Sequence, residues 1–182
     1  MRVLVLCAAL VLTGCASSER FLWEEYLGSA VGMLGAERYV RAERYLNLAL
    51  GKAEMLGNEE RGISLNAFGE LFRRQGRFEE AEDFFKLALA AKEEALGPDH
   101  PDVAVTLTNL ALTYSADGHP AEAGPLLERA RDIQDGNKVS PRTRARTLVA
   151  LADVYRKLGR EGDATALDAR VRALREGPLG EK

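Results

Sequence analysis

Residues 65–88 read LNAFGELFRRQGRFEEAEDFFKLA, and this stretch decides the fold class. In its first half, apolar and small residues recur at helical spacing, at Leu65, Phe68, Gly69 and Phe72. A second stripe with the same spacing follows Gly76 and runs through Phe78, Ala81, Phe85, Ala88 and Leu89. Apolar stripes at this period are typical of amphipathic helices, and a glycine between them indicates a tight turn. The stretch therefore predicts a helix hairpin.

The same pattern returns along the chain. An alanine in a similar setting occurs at Ala42, Ala81, Ala123 and Ala164, at intervals of 39, 42 and 41 residues. A period in this range is typical of stacked supersecondary units, and such stacks usually serve as binding surfaces. Small residues such as Gly69 and Ala81 would let the two helices of a unit approach closely.

The pattern resembles the tetratricopeptide repeat, whose signature places large and small residues at fixed positions of two helices. The second unit, described above, matches it well, and so does the third, at Leu107, Leu110, Ala111, Tyr114, Gly118, Pro120, Ala123, Leu127 and Ala130. The outer units depart from the signature. Glu37 replaces the turn glycine of the first unit, and Asp168 replaces an apolar residue of the fourth. Terminal repeats are expected to be atypical because one face meets no neighbouring unit.

The segment from Ala95 to Ala104 resembles the text between repeats of the kinesin light chain type of tetratricopeptide repeat. In it, Gly97 is expected to end one helix and Pro101 to begin the next, as Ser140 and Pro141 do later. The resemblance covers residues 20–176 and implies an all-α fold, a right-handed superhelix of about four helix hairpins. The expected repeat domain is 21–176, with units at about 21–57, 58–98, 99–138 and 139–176, followed by a loose tail at 177–182.

The N-terminus has a different composition. One arginine is followed by ten apolar residues, Val3 to Leu12, which as a helix would be about 15 Å long and too short to span a bilayer. The segment is typical of a signal peptide. Leu12-Thr13-Gly14-Cys15 resembles the lipobox of bacterial lipoproteins. The alternative is a buried apolar helix with an incidental cysteine.

The lipobox resemblance implies a signal peptide at residues 1–14, covalent lipid on Cys15, and an extended tether at 15–20. It also implies location in the cell envelope. Because Ala16 rather than Asp follows the cysteine, the expected site in a Gram-negative cell is the outer membrane, facing the periplasm. No other cofactor is expected.

The sequence offers little for catalysis or metal binding. His100 and His119 lie in turns with no second ligand one helical turn away, which favours two solvent-facing turn residues. Neighbouring carboxylates such as Glu79 and Glu80 diverge on a helix surface. The net charge of -3, with both signs interspersed, does not favour nucleic-acid binding. The chain is not expected to be an enzyme.

The tetratricopeptide resemblance implies a partner-binding surface on the concave side of the array, formed by the first helix of each unit. Its positions here are Asn66, Glu70, Arg73, Arg74, Thr108, Asn109, Arg146, Asp153, Arg156 and Lys157. Asn109 holds the place where the family often binds a ligand's backbone amide. The alternative is that these polar residues only keep the surface soluble. Apolar residues at Val105, Leu112 and Ala116 leave both an extended peptide and a helix as ligands.

Taken together, the residues predict a membrane-anchored, noncatalytic scaffold that binds peptide or protein partners, in the assembly of a pilus, a secretion system or an outer-membrane complex. Two alternatives stay open. One is a subunit of an envelope enzyme system acting on cell wall or polysaccharide, and the other is a self-associating structural lipoprotein.

Overall fold

The computed structural model describes the backbone of residues 2–176 and the side chains of residues 17–176. Every regular element within these residues is a helix. In chain order the helices are α1 (Arg2–Gly35), α2 (Tyr39–Leu56), α3 (Asn58–Arg74), α4 (Phe78–Leu96), α5 (Pro101–Ala116), α6 (Pro120–Gly136), α7 (Pro141–Lys157) and α8 (Glu161–Glu176).

The helices form four hairpins stacked side by side. Each helix packs against the next, and the first helices of successive hairpins also touch, α1 with α3, α3 with α5 and α5 with α7. Within residues 2–176 the second helices of successive hairpins do not touch one another. The stack therefore curves with its first helices on the inner, concave side. This confirms the predicted all-α array of four helix hairpins.

The turn inside each hairpin requires one residue with a left-handed backbone. Gly76, Gly118 and Gly159 fill this place with φ of 73°, 87° and 73°. In the first hairpin the residue is Glu37, with φ of 56°. Residues with a Cβ atom pay a steric cost of roughly 1–2 kcal/mol in this conformation. Glu37, which replaces the glycine of the signature, therefore holds a strained backbone conformation.

Replacing Glu37 by glycine should raise the free energy of unfolding by about 0.5–1 kcal/mol, because relief of strain exceeds the added flexibility of the unfolded chain. Gly118→Ala is the reverse change in an equivalent turn and should lower stability by a similar amount. Urea denaturation followed by circular dichroism measures both. An unchanged or lower stability for Glu37→Gly would contradict this account of the turn.

The helix ends follow the sequence. α4 is followed by Gly97, with φ of 88°, and α5 begins at Pro101, as predicted. Ser140 caps α7, its Oγ accepting the Thr143 N–H at 3.1 Å. His100 caps α5 in the same way, since its Nδ1 accepts the Asp102 N–H at 3.2 Å. His100 is thus a partly exposed turn residue, as expected, with a capping role that the sequence analysis did not predict.

The second hairpin has the closest helix contact. A Cβ atom added to Gly69 would lie 2.7 Å from the Phe85 ring, whose side chain is fully buried. Phe84 stacks on Phe68, with ring centroids 4.9 Å apart, and lies tilted against Phe72 at 5.2 Å. The glycine thus gives the space that the phenylalanine fills, as the sequence predicted.

Lys92 of α4 is an unusual buried cation. Its side chain packs beside Gly62 of α3 and donates from Nζ to the Asp102 carbonyl at 3.4 Å. Burial lowers the pKa of Lys92, and the negative charges of Asp102 and Glu59 offset this only in part. The charged form is therefore less stable in the folded protein than in water.

Lys92→Met keeps most of the buried stem and removes the charge, so it should stabilise the fold at neutral pH. The pKa of Lys92 is lower in the folded protein than the ordinary 10.5. Between these two pKa values the unfolded chain binds more protons than the folded protein, so wild-type stability rises with pH in that range. The advantage of the methionine variant should therefore shrink toward alkaline pH. Urea midpoints measured across this range test it, and a difference independent of pH would contradict it.

The first helix differs from the sequence expectation. Residues 15–20 were expected to be an extended tether, but they lie inside α1. Glu19 pairs with Lys52 of α2 at 2.7 Å, and Arg20 pairs with the buried Glu60 of α3. These partners fix the segment as helix against the second and third helices. Residues 17–20 are therefore helical rather than extended.

The signal peptide, the lipid on Cys15 and the C-terminal tail stay predictions. The side chains of Cys15 and of the expected signal peptide, and the tail at 177–182, lie outside the residues described above. Among the helices of the described chain, none is long and apolar enough to cross a membrane.

Candidate functional site

A chain of polar side chains crosses the concave side of the array. Asn109 of α5 donates from Nδ2 to Asn66 Oδ1 of α3 at 3.0 Å. Arg146 of α7 donates from Nη2 to Asn109 Oδ1. Three successive first helices thus contribute one residue each, and these three predicted residues lie together. We call them the central cluster.

Charged residues surround the central cluster on α3. Glu70 accepts from Arg73 at 2.8 Å and from Arg74 at 2.6 Å. Arg74 also donates to the Leu34 carbonyl in the last turn of α1, at 3.3 Å. The Glu70 carboxylate therefore pairs with two arginines. The local charge on this part of the surface is positive.

Arg146 is the cation of the central cluster. Desolvation lowers the pKa of Arg146, nearby Glu70 raises it and Arg73 lowers it. The guanidinium stays charged because its ordinary pKa is so high. Its hydrogen bond goes to the neutral amide of Asn109, and among the described residues it forms no salt bridge with a carboxylate. It is therefore a charged donor with capacity for an additional acceptor.

The residues predicted on α7 beyond Arg146 lie farther along the groove. Lys157 donates to Ser115 of α5, 2.8 Å from its hydroxyl and 3.0 Å from its carbonyl, and lies 3.4 Å from Asp153. Arg156 pairs with Asp168 of α8. The predicted set therefore divides into the central cluster with its charged neighbours and a second group near the C-terminal end.

Two predicted partner-binding residues are buried, and one of them is Asn109, which is 5% exposed within the central cluster. Thr108 is 1% exposed, and its hydroxyl bonds the Thr147 hydroxyl at 3.0 Å and the Ala104 carbonyl at 2.8 Å. It lies one position before Asn109, and adjacent helix positions diverge by about 100°. Thr108 consequently points between α5 and α7. Its assignment to partner binding was wrong.

Apolar residues also line the concave side, as the sequence predicted. Val105 and Leu112 of α5 are partly buried, and Ala116 is exposed. Val31 of α1 is 55% exposed. The surface therefore combines polar side chains with apolar contact area.

A cavity at the end of the array was missed from the sequence. It has a volume of about 770 Å³ and opens beside α7 and α8. Arg146, Asp153 and Arg156 line it, together with residues that the sequence did not single out, Arg142, Val149, Leu174 and Arg175. A signal was present, because Val149 lies 41 residues after the buried Thr108 and so marks the same position in the next unit.

The histidines do not converge on a site. His119 is exposed and lies 3.6 Å from both Asp117 and Glu122. Among the side chains that the structure describes, no three histidine, cysteine or acidic residues could hold a metal ion together. The chemistry available on the concave side is hydrogen bonding to carbonyls, amides and carboxylates, with apolar contact beside it.

Comparison with known proteins now places the chain. A family profile for the tetratricopeptide repeat matches residues 26–94 and 60–135. The chain belongs to the tetratricopeptide repeat family. It is also 32% identical over 108 residues to protein KINESIN LIGHT CHAIN-RELATED 2 of Arabidopsis thaliana, covering 58% of this chain and 16% of that protein. The tetratricopeptide chain thus spans about a sixth of that relative's length.

Solved structures share its fold. BtubC (BKLC) from P. vanneervenii superposes with a TM-score of 0.80 at 23% identity, covering 90% of this chain and 67% of that one. A putative kinesin light chain from Podosopora anserina with nearly identical TPR-like repeats gives 0.67 at 24% identity, covering 84% and 74%. PilF of Pseudomonas aeruginosa gives 0.51 at 17% identity, covering 91% and 80%. These likenesses show the same fold, and together with the Arabidopsis relative the first two support repeats of the kinesin light chain type.

Proposed function

We propose that this tetratricopeptide repeat chain is a noncatalytic scaffold that binds a protein or peptide partner on its concave side and is held at a membrane by lipid on Cys15. The observation that carries the binding proposal is the central cluster, in which Asn66, Asn109 and Arg146 join three units. A ligand lying across α3, α5 and α7 would contact Asn66 and Arg146, which Asn109, 5% exposed, holds in place through hydrogen bonds to both.

The chemistry of the cluster favours a ligand with exposed carbonyl or carboxylate groups. An amide side chain offers a donor and an acceptor at once, which suits a peptide backbone. Arg146 offers further N–H donors to a carboxylate or carbonyl oxygen. The apolar contact area around Val105 and Leu112 would pack against the ligand's side chains.

The membrane part of the proposal rests on the lipobox-like sequence at Leu12-Thr13-Gly14-Cys15. Cleavage before Cys15 and acylation of its sulfur would place the array in the cell envelope. In a Gram-negative cell, Ala16 after the cysteine favours the outer membrane with the array in the periplasm. Partners would then be components of an envelope assembly.

The binding proposal is tested by capturing partners of the intact protein with crosslinking. The variant Asn109→Ala with Arg146→Ala should reduce capture of a specific partner by about 30-fold or more, since it removes one neutral and one charged hydrogen-bonding group. The matched control is Arg41→Ala with Asn47→Ala, which changes the same residue types at exposed positions of α2. Equal capture by both variants would contradict binding at the central cluster.

The anchor is tested separately by Cys15→Ser. This variant should lose both labelled fatty acid and membrane fractionation. Cys7→Ser is the matched control, because the proposal places Cys7 in the removed signal peptide, and it should keep both. If Cys15→Ser keeps both properties, the anchor is wrong, whereas the result for the groove variant is unaffected.

A further inference from the structure

The two ends of the array carry opposite unpartnered charges. At one end lies the C-terminal edge, which we define as Arg142, Val149, Leu174 and Arg175 around the 770 Å³ cavity. At the other lies the N-terminal face of α1, defined as Phe21, Glu24, Glu25, Gly28 and Gly32, all exposed. Neither set belongs to the central cluster.

The C-terminal edge is built from positions that elsewhere join one unit to the next. Val149 is 44% exposed and corresponds to the buried Thr108, 41 residues earlier. Arg175 corresponds by the same step to Gln134, whose Nε2 donates to Thr147 of the following unit at 3.0 Å. Arg142 lies 122 residues after Arg20, which pairs with Glu60 across a unit boundary. The C-terminal edge therefore matches the surfaces on which the first helix of a following unit packs inside the array.

The N-terminal face of α1 is the matching surface. Residues 39 positions later on α3, Glu60, Ser64 and Ala67, are buried and face the preceding unit. Their counterparts on α1 are Phe21, Glu25 and Gly28, and Phe21 is 65% exposed. No atom lies within 4 Å of a Cβ built on Gly28 or Gly32, so another helix can approach this face closely.

The charges at the C-terminal edge indicate which kind of helix can bind there. In the described part of the chain, the side chains of Arg142 and Arg175 form no ion pair or hydrogen bond, and the same is true of Glu24 and Glu25. The cavity lining has four arginines, Arg142, Arg146, Arg156 and Arg175, against one acid, Asp153. An incoming helix with carboxylates beside apolar and small residues would complement it.

We propose that the chain associates head to tail, with the N-terminal face of one copy docked on the C-terminal edge of another. Glu24 and Glu25 then meet Arg142 and Arg175, and Phe21 packs with Val149 and Leu174. The contact repeats the geometry of the internal unit boundaries. Because the two surfaces differ, each copy keeps a free end, and association is open-ended. The concave surface continues from copy to copy.

The test uses the full chain, purified in a mild nonionic detergent, and sedimentation velocity at low salt. The mass of the wild-type protein should rise with concentration, and added salt should reduce it. Two charge-reversed variants, Arg142→Glu with Arg175→Glu and Glu24→Lys with Glu25→Lys, should each weaken association by about tenfold or more. Circular dichroism should show both variants folded, because all four residues are exposed.

Mixing the two variants distinguishes contact between the two different surfaces from contact of either surface with a second copy of itself. One junction in the mixture is the wild-type pair of surfaces and the other is the charge-swapped pair, so association should be restored. The control variant, Arg41→Glu with Arg44→Glu, lies on an outer face of α2 whose α4 counterparts, Glu80 and Asp83, are exposed inside the array. It should associate like wild type.

Three results would overturn the proposal. They are a wild-type mass of one chain at the highest soluble concentration, association unaffected by either reversal, and mixed variants that do not associate. None of these variants alters the central cluster or Cys15. A negative result here therefore leaves the proposed scaffold function untouched.

Discussion

Replacing Phe85 by alanine is expected to lower the free energy of unfolding by about 3–5 kcal/mol. The Phe85 side chain is fully buried between α3 and α4, and its ring lies against the backbone of Gly69. Loss of the ring would leave a cavity that two rigid helices fill only in part. Urea denaturation followed by circular dichroism measures the effect. Leu87→Ala, at a position 49% exposed on the same helix, should cost only about 0.5 kcal/mol.

A substitution at Gly69 tests the same contact from the other helix. Gly69→Ala should itself cost about 1–3 kcal/mol despite the better helix propensity of alanine, because its methyl group would overlap the Phe85 ring. Combining Gly69→Ala with Phe85→Leu should cost less than the sum of the two changes, since the smaller side chain makes room. Strict additivity would mean that the two residues do not compete for the same space.

The second large effect is expected at Trp23. Its side chain is 6% exposed, and its Nε1 donates to the Ser64 hydroxyl of α3 at 2.9 Å. Trp23→Ala should lower stability by about 3–5 kcal/mol and should loosen α1 from the second hairpin. Hydrogen exchange should therefore rise first in α1 and α2 and least in α7 and α8, because units of a repeat array stabilise their neighbours.

Conservative changes separate packing from hydrogen bonding at this position. Trp23→Phe keeps an aromatic ring and loses the donor, while Ser64 still donates to the Glu60 carbonyl at 2.9 Å. A cost of about 1–2 kcal/mol is expected for it. Phe21→Ala removes a ring that is 65% exposed and should leave the free energy of unfolding nearly unchanged. Similar costs for Phe21→Ala and Trp23→Ala would contradict the packing described for α1.

The parts of the fold that follow local rules were predictable. The stripe spacing around Gly69 and Phe85 gave the hairpin, and prolines and glycines gave the helix ends. The helical form of the segment 15–20 was not predictable, for the opposite reason. Its polar residues resemble a linker, and the partners that make it helical, Lys52 and Glu60, lie more than thirty residues away in sequence. Local periodicity carries no information about such partners.

The candidate site, too, was predictable only in part. Asn66, Asn109 and Arg146 were all expected on the concave side, and the packing of α3, α5 and α7 brings them together although they hold different repeat positions. Thr108 was misplaced because a single step along a helix changes the face. The C-terminal edge was missed because its residues look unremarkable alone. They gain meaning only when compared with their buried counterparts one unit earlier.

The side-by-side packing of α3, α5 and α7 also sets a spacing rule for any partner. Axes of packed helices lie about 8–10 Å apart. An extended chain advances about 3.3 Å per residue and a helix 1.5 Å. A partner that contacts α3, α5 and α7 in turn must therefore present matching groups about every third residue if it is extended, or about every sixth if it is helical. The sequence of a captured partner would thus reveal its bound conformation by its period alone.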